Sequence, residues 1–311
     1  MALFHTSGGG RLGNQLLNLI HLLALKNEYK IEIIKINDLF LESRSGSLFY
    51  PLREEIISWK ICKKKSKNIY FYKLFLKLFI RFIHLYFYLS PFRKSYKIGL
   101  KNNYPKYLVG NNLKKEYSFE KLINEAKTYN VALSGWGLRN WGLVSKHKKK
   151  IINNLKEGLS EYLCLKTSIE NKYLFVHIRR TDFLAVEEFN DLNFSDRIWL
   201  KGILKLCEIK SLNTVVIFSD AEVSNFISSS LRKKGLTTIM PEKNNKNENF
   251  LKLFSSYVYN ASSIICNAST LVLSLSFLSH EKIFLPSRKS DLQEILLNNA
   301  HALPPACLNW N

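Results

Sequence analysis

The hexapeptide His177-Ile178-Arg179-Arg180-Thr181-Asp182 carries the densest chemistry in this chain. It ends an apolar run, Tyr173 to Ile178, that reads as a strand, so it lies at the carboxyl end, where open α/β sheets bind ligands. Strand alternation sends His177 and Arg179 to one face and Ile178 to the other, which brings an imidazole and a guanidinium to one crevice. A guanidinium binds phosphate oxygens bidentately and keeps its charge, as stabilisation of a diphosphate requires. The plainer alternative is a solvated arginine pair partly neutralised by Asp182.

Two further strand ends supply polar groups. Ser219-Asp220 follows Val215 to Phe218, and Asn267-Ala268-Ser269-Thr270 follows Ile264 to Cys266 and opens a helix. Hydroxyls at Ser269 and Thr270 beside helix N–H groups suit a phosphate or a ribose, although Ser and Thr are also ordinary helix caps. Near the amino end, Gly8-x-Gly10-x-x-Gly13 lies between a strand from Ala2 to His5 and a helix from Asn14 to Tyr29. That spacing satisfies the dinucleotide fingerprint, in which glycine lets the backbone approach an anion. Arg11, Asn14 and Gln15 could reach a bound sugar or phosphate from that turn. A tight turn with no ligand explains the glycines equally, and Asp38, after the second strand, keeps a nicotinamide oxidoreductase open as a reading. No Asp-x-Asp occurs, so no metal is expected on a diphosphate; fixed arginine charge would take its place.

The elements that must position these residues are legible in part. After Thr167 short apolar strands alternate with helices: strand 173–178, helix 195–209, strand 214–218, helix 222–234, strand 237–240, helix 248–259, strand 263–266, helix 271–278 and strand 282–285. Such alternation predicts a parallel sheet with right-handed crossovers, hence a Rossmann-like unit. The amino half predicts strands at 2–5, 31–36 and 131–133 and helices at 14–29 and 143–163. A boundary near 160 divides the 311 residues into domains 1–160 and 161–311, with a last helix at 291–300 expected to pack back across it.

Charge is concentrated. The net charge is +21, and between Arg53 and Lys115 sixteen Lys/Arg face two acids, Glu54 and Glu55. This stretch, about 53–115, is expected to be a basic aromatic helical insertion. Within it Ile69 to Leu89 is dense in Phe, Tyr, Leu and Ile, yet Lys73, Lys77 and Arg81 recur every fourth residue. Charge in every turn argues against a membrane span and for either an interfacial helix on anionic lipid or a buried helix with a solvated stripe. Nucleic-acid binding fits less well, because the charge tracks a hydrophobic stretch and no zinc spacing or RNA-recognition signature accompanies it. The five cysteines include no C-x-x-C pair, as in a reducing compartment. The first residues carry no secretory pattern, so a cytoplasmic protein, peripheral on the inner face of the membrane, is expected.

Taken together the motifs resemble glycosyltransferase family 11, the α-1,2-fucosyltransferases, within the wider fucosyltransferase superfamily. Gly10-Arg11-Leu12-Gly13-Asn14-Gln15 is similar to the family's opening motif, His177 to Asp182 to its H-x-R-R-x-D donor motif, and Ile217-Phe218-Ser219-Asp220 to its third element; Phe250 to Leu285 resembles a fourth. The resemblance implies an α/β, GT-B-like fold of two Rossmann-like domains facing a central cleft. It also implies inverting, metal-independent transfer of fucose from GDP-fucose to an oligosaccharide hydroxyl, such as a galactoside 2-OH of a lipid-linked O-antigen or surface polysaccharide unit. On that reading Arg179 meets the diphosphate, Arg180 and Ser269 assist, and His177, Ser219, Asp220, Asn267 and Thr270 complete the donor site. Gly10, Arg11, Gly13, Asn14 and Gln15 form a phosphate or acceptor loop. Asp182, Glu187 and Glu188 are candidates for the base. Two departures are Thr181, where members usually carry glycine, and Leu271-Val272-Leu273-Ser274-Leu275 in place of a tryptophan-rich continuation; they leave acceptor, linkage and the choice against GDP-mannose open.

Overall fold

The computed structural model describes residues 2–7, 12–36, 78, 81–82, 85–91, 93–101, 104–109, 112–116, 119–135, 138, 140–158, 163–164, 166, 169–180, 194–241, 249–267, 269–279, 283–286 and 307–310. Two compact units divide at Tyr162 and Leu163.

The amino-terminal unit is built on a six-stranded sheet in the order β2-β1-β6-β3-β4-β5. Its strands are β1 (Ala2–Ser7), β2 (Glu32–Ile36), β3 (Arg93–Lys101), β4 (Tyr104–Val109), β5 (Asn112–Glu116) and β6 (Asn130–Gly135). β2, β1, β6 and β3 run parallel, and β4 and β5 add antiparallel. Helix α1 (Leu12–Tyr29) buries Leu16, Leu17, Leu19, Ile20, Leu22, Leu23 and Leu25. Leucines on so much of its circumference mark a helix enclosed by protein. Helix α2 (Phe119–Thr128) closes a core of Leu3, Leu22, Leu25, Ile33, Leu122, Ile123, Val131 and Leu133.

Two expectations change here. The helical insertion thought to reach about 115 gives way at Arg93 to three strands. Tyr96, Ile98 and Leu100 alternate with Lys97, Gly99 and Lys101, a period of two that lysine density disguises. The helix expected over 143–163 is instead α3 (Trp141–Lys146) followed by α4 (Lys148–Gly158). Asn140 caps α3 by accepting from the Leu143 N–H at 3.1 Å. Glu28 of α1 holds the junction, with Lys146 Nζ at 2.7 Å and His147 Nε2 at 2.6 Å.

The carboxy-terminal unit has an all-parallel sheet in the order β12-β11-β10-β7-β8-β9. Its strands are β7 (Tyr173–Ile178), β8 (Thr214–Ser219), β9 (Thr237–Ile239), β10 (Ser263–Cys266), β11 (Ile283–Pro286) and β12 (Cys307–Trp310). Helices α5 (Asp196–Lys210), α6 (Asn225–Lys233), α7 (Asn249–Asn260) and α8 (Thr270–Ser276) lie between them in the chain. Alternation along β7 separates two cores. Leu174, Val176 and Ile178 pack with Trp199, Ile203 and Leu206 of α5 and Ile227 and Leu231 of α6. On the other face Tyr173, Phe175 and Phe218 meet Phe254 and Tyr257 of α7 at ring separations of 5.0–6.2 Å. The helix expected at 291–300 lies outside the described residues.

Candidate active site

Chain order and sheet order diverge at β7. From β7 the chain steps to β8 and β9 on one side, then returns to place β10, β11 and β12 on the other. The carboxyl ends of β7 and β10 therefore form the topological switch point, where crossovers leave in opposite directions and open a crevice. Six of the residues singled out by sequence stand at these ends and at that of β8: His177, Arg179, Arg180, Ser219, Asp220 and Asn267.

Backbone pairing of β7 with β10 stops at His177 opposite Cys266. The Asn267 side chain continues it by one residue. Its Oδ1 accepts the Arg179 N–H at 3.0 Å, and its Nδ2 donates to the Arg179 carbonyl at 2.6 Å. An amide that supplies donor and acceptor together imitates a neighbouring strand, and burial of Asn267 shields both bonds from water. On the other side, Asp220 Oδ1 accepts the Arg180 N–H at 2.7 Å, and the Asp220 N–H reaches the Ile178 carbonyl at 3.4 Å. The backbone that carries both arginines is thus held from β8 and β10 at once. Asn267 and Asp220, expected among the donor contacts, have this geometric task in the structure.

The side chains divide as alternation requires. His177 turns toward α7, where its ring meets Phe254 edge-on at 5.4 Å. Burial, with a smaller contribution from the Arg179 charge, lowers its pKa to about 4 against an opposing pull from Asp220. The ring is therefore neutral near pH 7, and its buried Nδ1 has no hydrogen-bond partner among the described residues. Arg180 points to the α5 side and pairs through Nη2 with Oδ1 of Asp196, the first residue of α5. Sequence reasoning did not find Asp196. An acid in the first turn of a helix is the signal it left, but only the fold reveals which cation it faces. Burial tends to raise the Asp196 pKa; the Ser224 hydroxyl and the Arg180 hydrogen bond and charge outweigh it, and the net shift is downward.

That shift has a measurable consequence. A carboxylate with a depressed folded-state pKa adds stability above its unfolded value, near 4, and loses it as the pH falls through the folded value. Asp196→Asn is expected to destabilise the protein most near neutrality, with the gap from the parent closing in acid. Denaturant titrations at neutral and acid pH that show a constant gap would remove the ion pair from the account.

Ser219 Oγ accepts the Ala221 N–H at 3.2 Å and so shapes the turn after β8. Ser269 is the N-cap of α8, yet its side chain makes no capping bond, so ordinary capping does not account for the hydroxyl. Thr270 begins the same helix. In the amino-terminal unit Gly13 is buried in the first turn of α1, and Asn14 and Gln15 follow it in the helix. Gly10, Arg11, Asp182, Glu187 and Glu188 lie outside the described residues. Burial pushes the Cys207 thiol up to about 11 and that of Cys266 up to about 12, so both stay protonated core groups.

No family model and no curated protein sequence matches the chain. Solved structures do match. POFUT1 in complex with GDP-fucose aligns with a TM-score of 0.52 at 12% identity, over 92% of this chain and 98% of that one. POFUT1 in complex with GDP gives 0.50 at 12% identity with the same coverage. A mutant of Arabidopsis thaliana FUT1 in complex with GDP gives 0.52 at 8% identity, over 93% of this chain and 71% of that one. These likenesses show the fold. It is GT-B-like, with two Rossmann-like units, and is shared with POFUT1 and FUT1.

Proposed function

We propose that the protein is an inverting fucosyltransferase that takes fucose from GDP-fucose. The observation that carries this reading is the placement of Arg179: at the switch point of the carboxy-terminal sheet, backbone clamped on both its N–H and its C=O, beside a neutral histidine. The fold shared with proteins solved with GDP and GDP-fucose supports it. In such a reaction an acceptor hydroxyl attacks the anomeric carbon in line as GDP leaves, so the enzyme must answer the charge that grows on the diphosphate. Arg179 supplies fixed charge for that purpose. The neutral His177 ring adds a hydrogen-bonding group without further charge, and Ser269, whose side chain makes no capping bond, offers a hydroxyl. Arg180, engaged by Asp196, braces the strand end. Arginine charge serves here in place of a divalent metal, so turnover is expected to persist in EDTA.

For the acceptor we propose an oligosaccharide, a galactoside 2-OH in the α-1,2 case, on a lipid-linked or surface glycan unit at the cytoplasmic face of the membrane. Asp182, Glu187 and Glu188 remain the proposed candidates for the base, and the loop from Gly10 to Gln15 the proposed acceptor or phosphate loop.

Thermal-shift measurements over GDP-fucose, GDP-mannose, UDP-sugars and NAD test the donor class. A ligand at a hundredfold excess over its Kd adds about 2.7 kcal/mol to a native state that alone binds it, so GDP-fucose and GDP are expected to raise the midpoint by several degrees. UDP-sugars and NAD are expected to leave it in place. Stabilisation by NAD alone would return the glycine turn to an oxidoreductase reading, and stabilisation by GDP-mannose in preference to GDP-fucose would change the sugar.

A further inference from the structure

Every described residue from Leu78 to Leu89 is helical, and the residues divide by face. At 3.6 residues per turn, Leu78, Phe82, Leu85 and Leu89 fall within about 60° of arc. They stand in solvent with 54%, 63%, 54% and 70% of their surface exposed. Phe87 projects to the opposite side, is buried, and meets Phe4 of β1 edge-on at 5.2 Å. One face thus anchors the helix to the sheet while the other presents an apolar stripe. Its borders are amphipathic: exposed Arg81 and Tyr88 on one side, Tyr86 on the other, with the Arg93 guanidinium 4.1 Å from the Tyr86 ring centre. Scattered exposed leucines are ordinary, but four apolar side chains in register with cationic and tyrosine borders are not.

We propose that this face of the amino-terminal unit docks on an anionic membrane surface. The leucines and Phe82 enter the acyl boundary, the tyrosines sit at headgroup level, and the arginines meet lipid phosphates. Charge selects this occupant. The described cations at the stripe's border, Arg81 and Arg93, stand in a stretch from Leu78 to Lys101 that carries no acid; a second copy would set them against their own likeness, and like-charge juxtaposition opposes such a contact. Nucleic acid offers phosphate but nothing for the apolar stripe, whereas a lipid surface offers both. No helix among the described residues is long and apolar enough to cross a membrane, and Lys73 and Lys77, which continue the cationic pattern in sequence, lie outside the described residues. Docking needs no donor, so it stands independently of sugar transfer.

Sedimentation of the full chain with phosphatidylcholine vesicles, with and without phosphatidylglycerol, tests the proposal beside the variant Phe82→Ser/Leu85→Ser/Leu89→Ser. Binding is expected to the anionic vesicles only, to weaken with salt, and to fall at least about tenfold in the variant. All three positions are exposed, so the thermal midpoint and its rise with GDP should survive the changes; loss of vesicle binding with the GDP response kept separates docking from the donor reading. Should the triple change disturb folding, Phe82→Ser alone is expected to weaken binding a few-fold. Absence of binding to anionic vesicles, equal binding by the variants, or a parental dimer that the variant loses would each overturn the proposal.

Discussion

Arg179→Ala is expected to lower kcat by about 10² or more, the scale seen when one preorganised transition-state donor is removed, while the thermal midpoint stays close to the parent's. The expectation comes from how the position is held. Asn267 bonds both backbone groups of Arg179, at 3.0 and 2.6 Å, and these bonds do not depend on the side chain at 179. Truncation should therefore remove the guanidinium and leave its platform. Because negative charge grows on the diphosphate only as the glycosidic bond breaks, the loss should appear in kcat more than in KM. Arg179→Lys keeps the charge but loses the planar fork, so it should recover only part of the rate. Steady-state kinetics with GDP-fucose would decide; a near-native kcat in the alanine variant, with folding intact, would take Arg179 out of the reaction.

The carboxy-terminal unit was legible because its central strands, β7, β8 and β10, are buried on both faces. Val215-Val216-Ile217-Phe218 and Ile264-Ile265-Cys266 are continuous apolar runs, and runs too short for a helix, set between helices, fit buried parallel strands. Strands β7 and β10 have the predicted bounds. The amino-terminal unit hid β3 and its antiparallel additions β4 and β5, because lysines such as Lys97 and Lys101 interrupt the apolar positions of β3 and Pro105 reads as a break in β4. Strand β4 tolerates that proline where β5 no longer pairs with it: Pro105 faces Leu100 of β3, while the pairing with β5 ends at Lys106. At the site, the residues on strand ends could be found because polar groups after an apolar strand stand out in sequence. Their partners could not. Which acid meets Arg180, and that Asn267 binds backbone, are settled by strand order, and strand order is not written in local pattern.

A second large effect concerns acid. His177 has a folded-state pKa of about 4, below the ordinary value of about 6.5. Above the ordinary value both states carry a neutral ring and the residue contributes no pH dependence. Between the two values the unfolded chain takes up a proton that the folded ring refuses, so stability falls with pH across that window and levels off below it. The full difference is on the order of 3 kcal/mol. His177→Gln removes the titration, and its stability should fall less than the parent's from neutral pH to about pH 4; parallel curves in denaturant titration would refute the buried neutral ring. Bound GDP supplies a further test. Diphosphate charge near the ring would favour the imidazolium and raise the folded-state value, as Asp220 already does in part, so the acid penalty on the parent should shrink when GDP is present. Arg179→Ala should shrink it too, because the guanidinium is one of the causes that hold the value down. A ring whose acid penalty ignores both GDP and Arg179 would lie apart from the donor site, and the crevice at the β7 and β10 ends would need another occupant.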